Sequence, residues 1–375
     1  MYRTLGSSGI RISALSFGAM RWRSEEDCRA ILQRGMDLGI NYVDTSTGYV
    51  GGQSQRWVAN AVRNRRDEIW VSTKSHYNKA LKAVDFRQKI EERLEMLQLD
   101  HFDMVQLWGL ESPETLHSAL APGGMVEGAR QAQRDGLIRH GIGFTFHGSP
   151  DLFRAAIDCG EFISATVSYN LLNRAAEPLV DYAGKHGTGI IVMNPLGGGI
   201  LGMAERSEFD FLRGPGGGSA YGALRFLLAN PHVSAAIVGY TSVKEVEESV
   251  QALESPETLT EDCRQSLIRS IDKVERPQGN FCTGCGYCKE CPQEFKPHVF
   301  MKIMRDFALY VDESKRLPQW LAVRYDGREN ARKRLNRCVE CGECEKKCPQ
   351  GLPIVAAIRQ AKSVMDAVAK KQDPA

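Results

Sequence analysis

Eight short apolar segments recur between residues 12 and 240, and each is followed by a stretch with helical spacing. The segments span 12–20, 41–46, 69–75, 102–108, 138–146, 164–170, 189–195 and 234–240. Their continuous apolar character is typical of strands that are buried on both faces of a parallel sheet. In one of the intervening stretches, Ile90, Leu94 and Leu97 share a single helical face. Eight strand–helix units within roughly 250 residues favour a closed α/β domain, the (β/α)8 barrel.

The alternative to a closed barrel is a doubly wound open sheet, which is built from the same strand–helix units. Open sheets that bind dinucleotides carry the glycine pattern GxGxxG directly after a strand. None of the eight segments is followed by that pattern. The sequence therefore favours the closed arrangement.

Cysteine is unevenly distributed along the chain. Three of the eleven cysteines, Cys28, Cys159 and Cys263, are scattered over the first 281 residues, and the other eight lie within 282–291 and 338–348. The N-terminal sequence MYRTLGSSGIRIS lacks the apolar stretch of a secretory signal peptide, so we expect a cytoplasmic protein with reduced thiols. Clustered thiols in a reducing compartment indicate metal ligands rather than a disulfide framework. The sequence therefore predicts a metal-binding C-terminal domain behind a larger domain.

The spacing within the two cysteine runs indicates the type of metal site. In CTGCGYCKECP two residues separate neighbouring cysteines, and in CVECGECEKKCP the last gap widens to three before a proline, as in bacterial ferredoxins. A zinc ribbon, the alternative, needs two CxxC pairs separated by a long loop, whereas each run here holds four cysteines. The pattern therefore favours two 4Fe–4S clusters over two zinc sites.

The similarity to ferredoxins also implies how the ligands are shared. In ferredoxins with two clusters, the last cysteine of each run binds the cluster of the other run. By that analogy one cluster takes Cys282, Cys285, Cys288 and Cys348, and the other takes Cys338, Cys341, Cys344 and Cys291. The shorter last gap of the first run departs from the ferredoxin pattern, so the ligand pairing stays more open than the number of clusters.

The composition of the chain limits the classes of partner that we expect, and the sequence indicates two domains. With 48 Lys and Arg against 46 Asp and Glu, the 375-residue chain has a net charge of +2, which gives no reason to expect a nucleic-acid or anionic-membrane partner. No apolar run approaches the roughly 20 residues that a membrane-spanning helix needs. We expect a barrel over residues 1–276 with a mobile Gly-rich loop at 203–218, a connecting helix at 260–277, and an iron–sulfur domain over 277–375.

Six segments outside the cysteine runs form an ordered set of motifs. They are the opening MYRTLGSSGIRISALSFGAM, then NYVDTSTGYVGGQSQ and VSTKS, and later VSYNLLNR, MNPLGGGILG and VGYTSVKEVEES. In this order, over about 255 residues, they resemble the hairpin, the strand motifs and the cofactor-binding segments of the aldo/keto reductase family. With the two cysteine runs behind them, the chain resembles the iron–sulfur branch of that family. The resemblance implies a barrel enzyme that uses NAD or NADP and acts on a small carbonyl or alcohol.

The resemblance also implies a tetrad of Asp, Tyr, Lys and His that handles the proton while a hydride passes between a nicotinamide and a carbonyl carbon. Asp44, Tyr49 and Lys74 match three of the four positions, at the carboxyl ends of the second and third strands. The tyrosine must donate a proton near neutral pH although its free pKa is about 10, and an adjacent lysine cation makes the phenol a better acid. The carboxylate behind the lysine keeps the ammonium charged and oriented.

The fourth tetrad position departs from the family. Trp108 stands where the fourth strand usually ends in histidine. An indole donates one hydrogen bond and does not titrate near neutral pH, so Trp108 either donates to a carbonyl oxygen or narrows the pocket. His76 and His147, after the third and fifth strands, are two other sources of an imidazole, and the alternative is that both are ordinary loop residues.

The nicotinamide-binding positions match the family in part. The residues that the resemblance assigns to the cofactor are Asn170, Pro195, Leu196, Gly197, Gly199, Gly239, Ser242, Glu245 and Glu248. Glycine backbone can approach a pyrophosphate closely, although the 197–199 glycines can also simply shape a strand-to-helix turn. Thr166 replaces a glutamine that often holds the carboxamide, and Thr145 and Phe146 replace a Ser-Asn pair. Thr241 stands near the place of the basic residue that grips a 2′-phosphate, with Lys244 as an alternative, so NAD and NADP both stay open.

Three functions follow from these features. The first is a nicotinamide-dependent oxidoreductase for a small carbonyl or alcohol, whose two 4Fe–4S clusters exchange single electrons with a redox partner or with the substrate. The second is a reductase with altered chemistry, such as reduction of an activated double bond or another cluster-assisted step, which Trp108 would explain. The third is a non-enzymatic electron carrier or docking protein that retains the barrel. The three matching tetrad residues favour the first function.

Overall fold

Two compact units make up the structure. The computed structural model describes residues 1–202, 207–215, 217–253, 255–274, 282, 286–310, 316–348 and 350–370. One unit runs over Met1–Lys273 and the other over Val274–Ala375. Within the described residues, no helix is both long enough and apolar enough to cross a membrane.

In the described part of the first unit, eight parallel strands form a closed barrel. A two-stranded hairpin precedes the barrel, formed by β1 (Tyr2–Thr4) and β2 (Arg11–Ser13). The barrel strands are β3 (Leu15–Gly18), β4 (Tyr42–Asp44), β5 (Trp70–His76), β6 (Phe102–Trp108), β7 (Ile138–Thr145), β8 (Ser164–Ser168), β9 (Gly189–Met193) and β10 (Val233–Val238). The last strand pairs in parallel with the first, with Ala236 opposite Leu15. The predicted (β/α)8 barrel is therefore confirmed, and the doubly wound open sheet is wrong.

Amphipathic helices cover the outside of the barrel. In the first unit they are α1 (Glu25–Asp37), α2 (Ser54–Val62), α3 (Ala83–Leu97), α4 (Pro113–Leu120), α5 (Met125–Arg134), α6 (Pro150–Asp158), α7 (Glu177–Lys185), α8 (Ala220–Leu228), α9 (Val243–Val250) and α10 (Glu261–Asp272). α1 begins after Ser24, whose hydroxyl accepts a hydrogen bond from the Asp27 N–H (3.1 Å) and so caps the helix. α3 buries Ile90, Leu94 and Leu97, as their spacing predicts.

The hairpin closes one end of the barrel. Leu5 and Ile12 of the hairpin region pack against buried side chains from four barrel strands, namely Tyr42, Met104, Ile191, Ala235 and Ile237. This apolar cluster fills the end of the barrel that lies next to the hairpin. The carboxyl ends of the strands, where barrels of this kind build their active sites, lie at the opposite end of the barrel.

The structure shortens several predicted elements. The first predicted strand, 12–20, is divided, because Arg11–Ser13 pairs with β1 in the hairpin and only Leu15–Gly18 enters the barrel. The connecting helix predicted at 260–277 ends at Asp272, and residues 275–281 lie outside the described part. In the loop predicted at 203–218, Ser207–Leu212 forms a short 3-10 helix, and 203–206 and 216 lie outside the described residues.

The second unit is helical through most of its described part. Its helices are α11 (Pro297–Tyr310), α12 (Leu317–Arg324), α13 (Arg328–Asn336), α14 (Glu343–Lys346) and α15 (Ile354–Lys370). They enclose a separate hydrophobic core, whose fully buried members include Phe300, Leu321, Leu335 and Ile358. Two cysteines of the runs are buried in this core and four pack against it: Cys282 and Cys288, and Cys291, Cys338, Cys344 and Cys348. The helices therefore pack around the cysteine runs.

Candidate active site and cluster ligands

A buried ion pair lies at the carboxyl ends of β4 and β5. The Lys74 ammonium donates a hydrogen bond to the Asp44 carboxylate, and the two side chains are only 4% and 1% exposed. Burial lowers the pKa of Lys74, but the Asp44 carboxylate and Tyr49 raise it by more, so the lysine stays charged. Burial also raises the pKa of Asp44, an effect that Lys74 and a hydrogen bond from Gln106 oppose. The structure thus brings two of the predicted site residues into direct contact.

Tyr49 stands beside this pair. The Lys74 ammonium lies 5.0 Å from the centroid of the Tyr49 ring. Burial raises the pKa of the Tyr49 phenol, and the positive charge of Lys74 lowers it by less. The sequence predicts a phenol that lysine makes more acidic, and the net pKa shift runs the other way because burial is the larger effect. Tyr49 therefore keeps its proton near neutral pH, beside a cation that stabilises the phenolate once the proton leaves.

Gln106 anchors the ion pair inside the barrel, a role that the sequence motifs do not indicate. Its side-chain amide donates hydrogen bonds to the second oxygen of the Asp44 carboxylate (2.5 Å) and to the Ser72 hydroxyl (3.0 Å). Its carbonyl oxygen accepts a hydrogen bond from the Thr166 hydroxyl (2.5 Å). All four side chains are buried. The hydroxyl of Thr166, which stands in place of the family's glutamine, therefore donates its hydrogen bond to Gln106 inside the barrel.

Replacing Gln106 with leucine should destabilise the barrel. The substitution nearly keeps the volume but removes a buried partner from the Asp44 carboxylate and from the Thr166 hydroxyl. We expect the free energy of unfolding, measured by urea denaturation with circular dichroism, to fall by about 2–4 kcal/mol. Gln88→Leu is the matched control, since Gln88 is exposed on α3 and donates to Glu92 at the surface; it should change this free energy by less than about 0.5 kcal/mol. Equal losses in the two variants would contradict an anchoring role for Gln106.

The two candidate imidazoles occupy different places. His76 and Trp108 are paired in the register of β5 and β6, and their rings meet edge to face with centroids 4.9 Å apart. The His76 side chain is exposed, and its Nδ1 hydrogen-bonds with the carbonyl oxygen of Tyr77 (2.7 Å). His147 follows β7 and is half-buried, and burial and the Lys74 cation lower its pKa to about 4. His147 is therefore an imidazole whose surroundings include the Lys74 ammonium.

The loop after β9 has a backbone that suits glycine. The glycines at 197–199 have positive φ angles of 58°, 75° and 102°, a region that other residues rarely adopt. The Asn194 side chain accepts a hydrogen bond from the Gly198 N–H (2.6 Å). The Asn170 side-chain amide donates to the Asn194 carbonyl oxygen (3.0 Å), which links this loop to the end of β8. The predicted cofactor residues 195–199 thus share one loop, in which the glycines shape the turn and Asn170 fixes its start.

An arginine that the sequence motifs do not single out lies beside Gly239. Gly239 directly follows β10, and a Cβ atom placed on it would lie 3.1 Å from the Cγ of Arg21. Arg21 follows β3, the barrel neighbour of β10. Its exposed side chain therefore packs against the backbone of a predicted cofactor-binding residue, and a guanidinium is a favoured partner of phosphate oxygens. These residues fit a nucleotide cofactor at this rim of the barrel.

The start of α9 is rich in carboxylates. Ser242 caps the helix by accepting a hydrogen bond from the Glu245 N–H (3.3 Å). The Glu245 carboxylate accepts hydrogen bonds from the backbone N–H and the hydroxyl of Thr241 (2.6 and 2.9 Å). Lys244, the alternative cation for a 2′-phosphate, is paired with Glu248 at 3.5 Å. The residues that the resemblance assigns to the adenosine end of the cofactor thus share a helix start where carboxylates outnumber cations.

Four of the clustered cysteines line one cavity in the second unit. They are Cys291 of the first run and Cys338, Cys341 and Cys344 of the second run. This is the set that the ferredoxin analogy implies for one cluster, including the ligand from the other run. Among the described residues, no three His, Cys, Asp or Glu side chains are gathered closely enough to hold a single ion. Both runs thus contribute thiols to one cavity, as the ligands of a 4Fe–4S cluster do in ferredoxins with two clusters.

The other predicted ligand set is described in part. Cys282 and Cys288 are buried and Cys348 is half-buried, whereas Cys285 lies outside the described residues. α14 packs against the short helical turn Tyr287–Lys289, which brings the second cysteine run next to Cys288. The structure thus places the two runs against each other, as shared ligands require.

The two cysteine runs have the same backbone turn. Each reads Cys-x-x-Cys-Gly-x-Cys, and the two glycines, Gly286 and Gly342, have φ angles of 82° and 78°. Each glycine precedes a short helical turn, at Tyr287–Lys289 and Glu343–Lys346. Both runs therefore turn the chain in the same way between their second and third cysteines.

One cation contacts each run through a backbone carbonyl. Arg305 of α11 donates to the carbonyl oxygen of Cys282 (3.3 Å). Lys362 of α15 donates to the carbonyl oxygen of Cys338 (2.7 Å). Thiolate-ligated clusters carry negative charge, so positive side chains at the ligand backbone support them. The donor set and its surroundings fit iron–sulfur clusters.

Two family models match the chain. Residues 14–267 match the aldo/keto reductase family, and residues 281–353 match a 4Fe-4S dicluster domain. L-galactose dehydrogenase of Arabidopsis thaliana is 28% identical over 313 residues, which cover 74% of this chain and 95% of that protein. L-glyceraldehyde 3-phosphate reductase of Escherichia coli O157:H7 is 26% identical, and the match covers 70% of this chain and 90% of the reductase.

The solved structures agree with the barrel. An aldo-keto reductase from Bacillus halodurans in its apo form has a TM-score of 0.59 and 26% identity, over 74% of this chain and 98% of that chain. The family match covers more than half of the chain and includes Asp44, Tyr49 and Lys74. The protein therefore belongs to the aldo/keto reductase family of oxidoreductases, and it carries a 4Fe-4S dicluster domain C-terminal to the reductase domain in the sequence.

Proposed function

We propose that this protein is a nicotinamide-dependent oxidoreductase that reduces a small carbonyl compound to an alcohol. The observation that carries the proposal is the buried contact between Lys74 and Asp44, with Tyr49 beside it at the carboxyl ends of the barrel strands. These side chains supply a proton donor, a cation that tunes the donor, and a carboxylate that orients the cation. Such a set can deliver a proton to a developing alkoxide within a largely dry site.

With these roles, the reduction of the carbonyl group balances in protons and electrons. A bound reduced nicotinamide supplies a hydride, which brings two electrons to the carbonyl carbon. As negative charge develops on the carbonyl oxygen, Tyr49 donates its phenolic proton and the product is an alcohol. Lys74 stabilises the resulting phenolate, and Asp44 keeps the ammonium in place. A proton from solvent then restores the phenol.

We further propose NADH as the preferred form of the cofactor. A 2′-phosphate carries up to about two negative charges at neutral pH. It would meet the helix start where the Glu245 carboxylate is fixed by Thr241, and where Lys244 is already paired. A ribose hydroxyl, in contrast, can donate a hydrogen bond to a carboxylate. The charge at the start of α9 therefore favours the cofactor that lacks the 2′-phosphate.

NADH should bind at least about tenfold more tightly than NADPH, a difference of about 1.4 kcal/mol in binding free energy. The double variant Thr241→Arg/Glu245→Gln adds a cation and removes a carboxylate, so it should reverse the preference. Nicotinamide fluorescence during titration of anaerobic protein measures both dissociation constants. Glu247→Gln is the matched control, because Glu247 lies on the same helix but pairs with Arg34 (2.7 Å), and it should leave the ratio unchanged. Tighter binding of NADPH to the wild-type protein would contradict the preference.

We also propose that residues 277–375 form a domain with two 4Fe–4S clusters, which follows a reductase barrel over residues 1–276 in the sequence. One cluster takes Cys291, Cys338, Cys341 and Cys344, a set that the shared cavity supports, and the other takes Cys282, Cys285, Cys288 and Cys348. Bound clusters supply single-electron transfer, whereas hydride transfer moves two electrons. Two clusters in one small domain therefore suit a relay to a redox partner.

Anaerobic purification followed by two measurements tests these proposals. Quantitation should find about eight iron and eight sulfide per chain. NADH added with 4-nitrobenzaldehyde, as a reactive carbonyl probe, should be oxidised, and bleaching of the cluster absorbance by NADH alone would show that the barrel and the clusters are coupled. Protein that binds neither NADH nor NADPH would overturn the reductase proposal. Protein without sulfide after reconstitution would overturn the cluster proposal.

A further inference from the structure

The side chains of β7 alternate between the helical layer and the barrel axis. Phe144 and Phe146 point outward, because both pack against Phe153 of α6 with ring centroids 5.7 and 4.9 Å apart. Successive residues of an extended strand point to opposite faces. Thr145 and His147 therefore point toward the axis, at the open end of the barrel.

Backbone pairing continues past the end of β7. The strand ends at Thr145, yet the Phe146 N–H still donates to the carbonyl oxygen of Thr166 on β8 (2.9 Å). Gly143, deeper in the barrel, also faces the axis, because a Cβ atom placed on it would lie 3.5 Å from the Cγ of Gln106. Gln106 is the residue that donates a hydrogen bond to the Asp44 carboxylate of the ion pair. His147 follows Gly143 and Thr145 on that face, nearer to the mouth.

The surroundings of His147 make its imidazole neutral. Burial and the Lys74 cation lower the pKa of His147 to about 4. At the same rim, Asp44 is paired with Lys74, and burial raises the pKa of Tyr49. The exposed His76 ends β5, and the exposed Arg21 follows β3. A neutral imidazole offers one N–H donor and one acceptor nitrogen. His147 can therefore donate a hydrogen bond without placing a second positive charge beside Lys74.

We propose that His147 is a catalytic residue that donates a hydrogen bond to the carbonyl oxygen of the substrate, alongside the proton donor Tyr49. This inference rests on the proposed carbonyl reduction. Trp108 occupies the position on β6 where the family usually has histidine, so the loop after β7 supplies the imidazole in this chain. Negative charge develops on the carbonyl oxygen as the hydride arrives, and a fixed N–H donor stabilises that charge more than it stabilises the neutral carbonyl group.

Three variants test the role of His147, with 4-nitrobenzaldehyde as the carbonyl probe. His147→Phe removes the donor and keeps a flat ring, so kcat/KM should fall about 100- to 1000-fold while the NADH dissociation constant stays the same. His147→Gln keeps an N–H donor and should retain about a tenth or more of the wild-type kcat/KM. His186→Gln is the control, because the exposed His186 directly follows α7 and stacks on Tyr182, and it should change kcat/KM by less than about twofold.

Two results would overturn the role of His147 while leaving carbonyl reduction intact. One is an unchanged kcat/KM in His147→Phe, and the other is an equal loss in His186→Gln. A wild-type protein that oxidises no NADH in the presence of 4-nitrobenzaldehyde would overturn the proposed function instead.

The placement of His147 can be decided without turnover. Imidazole NMR should show a low pKa for His147 in the wild-type protein, and that pKa should rise in Lys74→Met because a neighbouring cation is removed. A pKa of about 6.5 in both proteins would contradict the placement beside Lys74, and with it the proposal.

Discussion

Replacing Tyr49 with phenylalanine should lower kcat for NADH-dependent carbonyl reduction by about 10²- to 10⁴-fold while leaving NADH binding and iron content unchanged. The variant keeps the ring that lies 5.0 Å from the Lys74 ammonium and loses only the phenolic hydroxyl group, which carries the proton. Steady-state NADH oxidation with 4-nitrobenzaldehyde measures the loss. Retention of more than about a tenth of the wild-type kcat would remove Tyr49 as the proton donor.

The pH profile gives an independent check on Tyr49. Burial raises the pKa of the phenol above its usual value of about 10, and Lys74 opposes this by less. Tyr49 is therefore protonated, and able to act as an acid, at every pH below that raised value. For reduction, kcat/KM should stay flat from about pH 6 to 9 and fall at higher pH as the phenol ionises. Tyr2→Phe changes an exposed tyrosine of the hairpin, which donates to the Gly39 carbonyl oxygen (2.8 Å), and should leave kcat and the profile unchanged.

Barrel topology explains why the sequence indicates the ion pair. Asp44 and Lys74 each lie near the end of an apolar segment, and parallel barrel strands bring such ends to one rim. The role of Gln106 is harder to predict, because the contacts of a polar residue inside a strand depend on the register of the neighbouring strands. The pairing of β5 with β6 places Gln106 opposite Lys74. Its position two residues before Trp108 is the sequence cue that places both on one strand face.

Contacts between distant segments cannot be predicted in this way. Arg21 meets Gly239 only because the barrel closes its first strand onto its last. Lys362 reaches Cys338 only after α15 has packed in the second unit. Cysteine spacing, in contrast, is a local property, because each CxxC step aims neighbouring thiolates at one cluster whatever the rest of the chain does. The cluster ligands can therefore be recognised in the sequence, whereas the cations that contact their backbone cannot.

Pairs of cysteine substitutions should show which thiols share a cluster. Loss of one ligand removes one 4Fe–4S cluster, so Cys291→Ala and Cys338→Ala should each lower bound iron from about eight to about four per chain. Because both cysteines line one cavity, Cys291→Ala/Cys338→Ala should still retain about four. Cys288→Ala/Cys291→Ala removes a ligand from each cluster, so bound iron should fall almost to zero. Iron and sulfide quantitation after anaerobic purification, with EPR of the reduced protein, measures each outcome.

The two double variants discriminate between ligand arrangements, because each single substitution loses one cluster in either case. If each run held its own cluster, Cys288→Ala/Cys291→Ala would keep about four irons and Cys291→Ala/Cys338→Ala would lose nearly all of them. Cys263→Ala is the control, since Cys263 lies outside both runs, and it should keep about eight irons. The sulfide content separates clusters from zinc as well, because a zinc site built from thiolates holds no inorganic sulfide. The iron count of the double variants therefore tests the shared-ligand arrangement directly, and the cavity around Cys291 predicts its result.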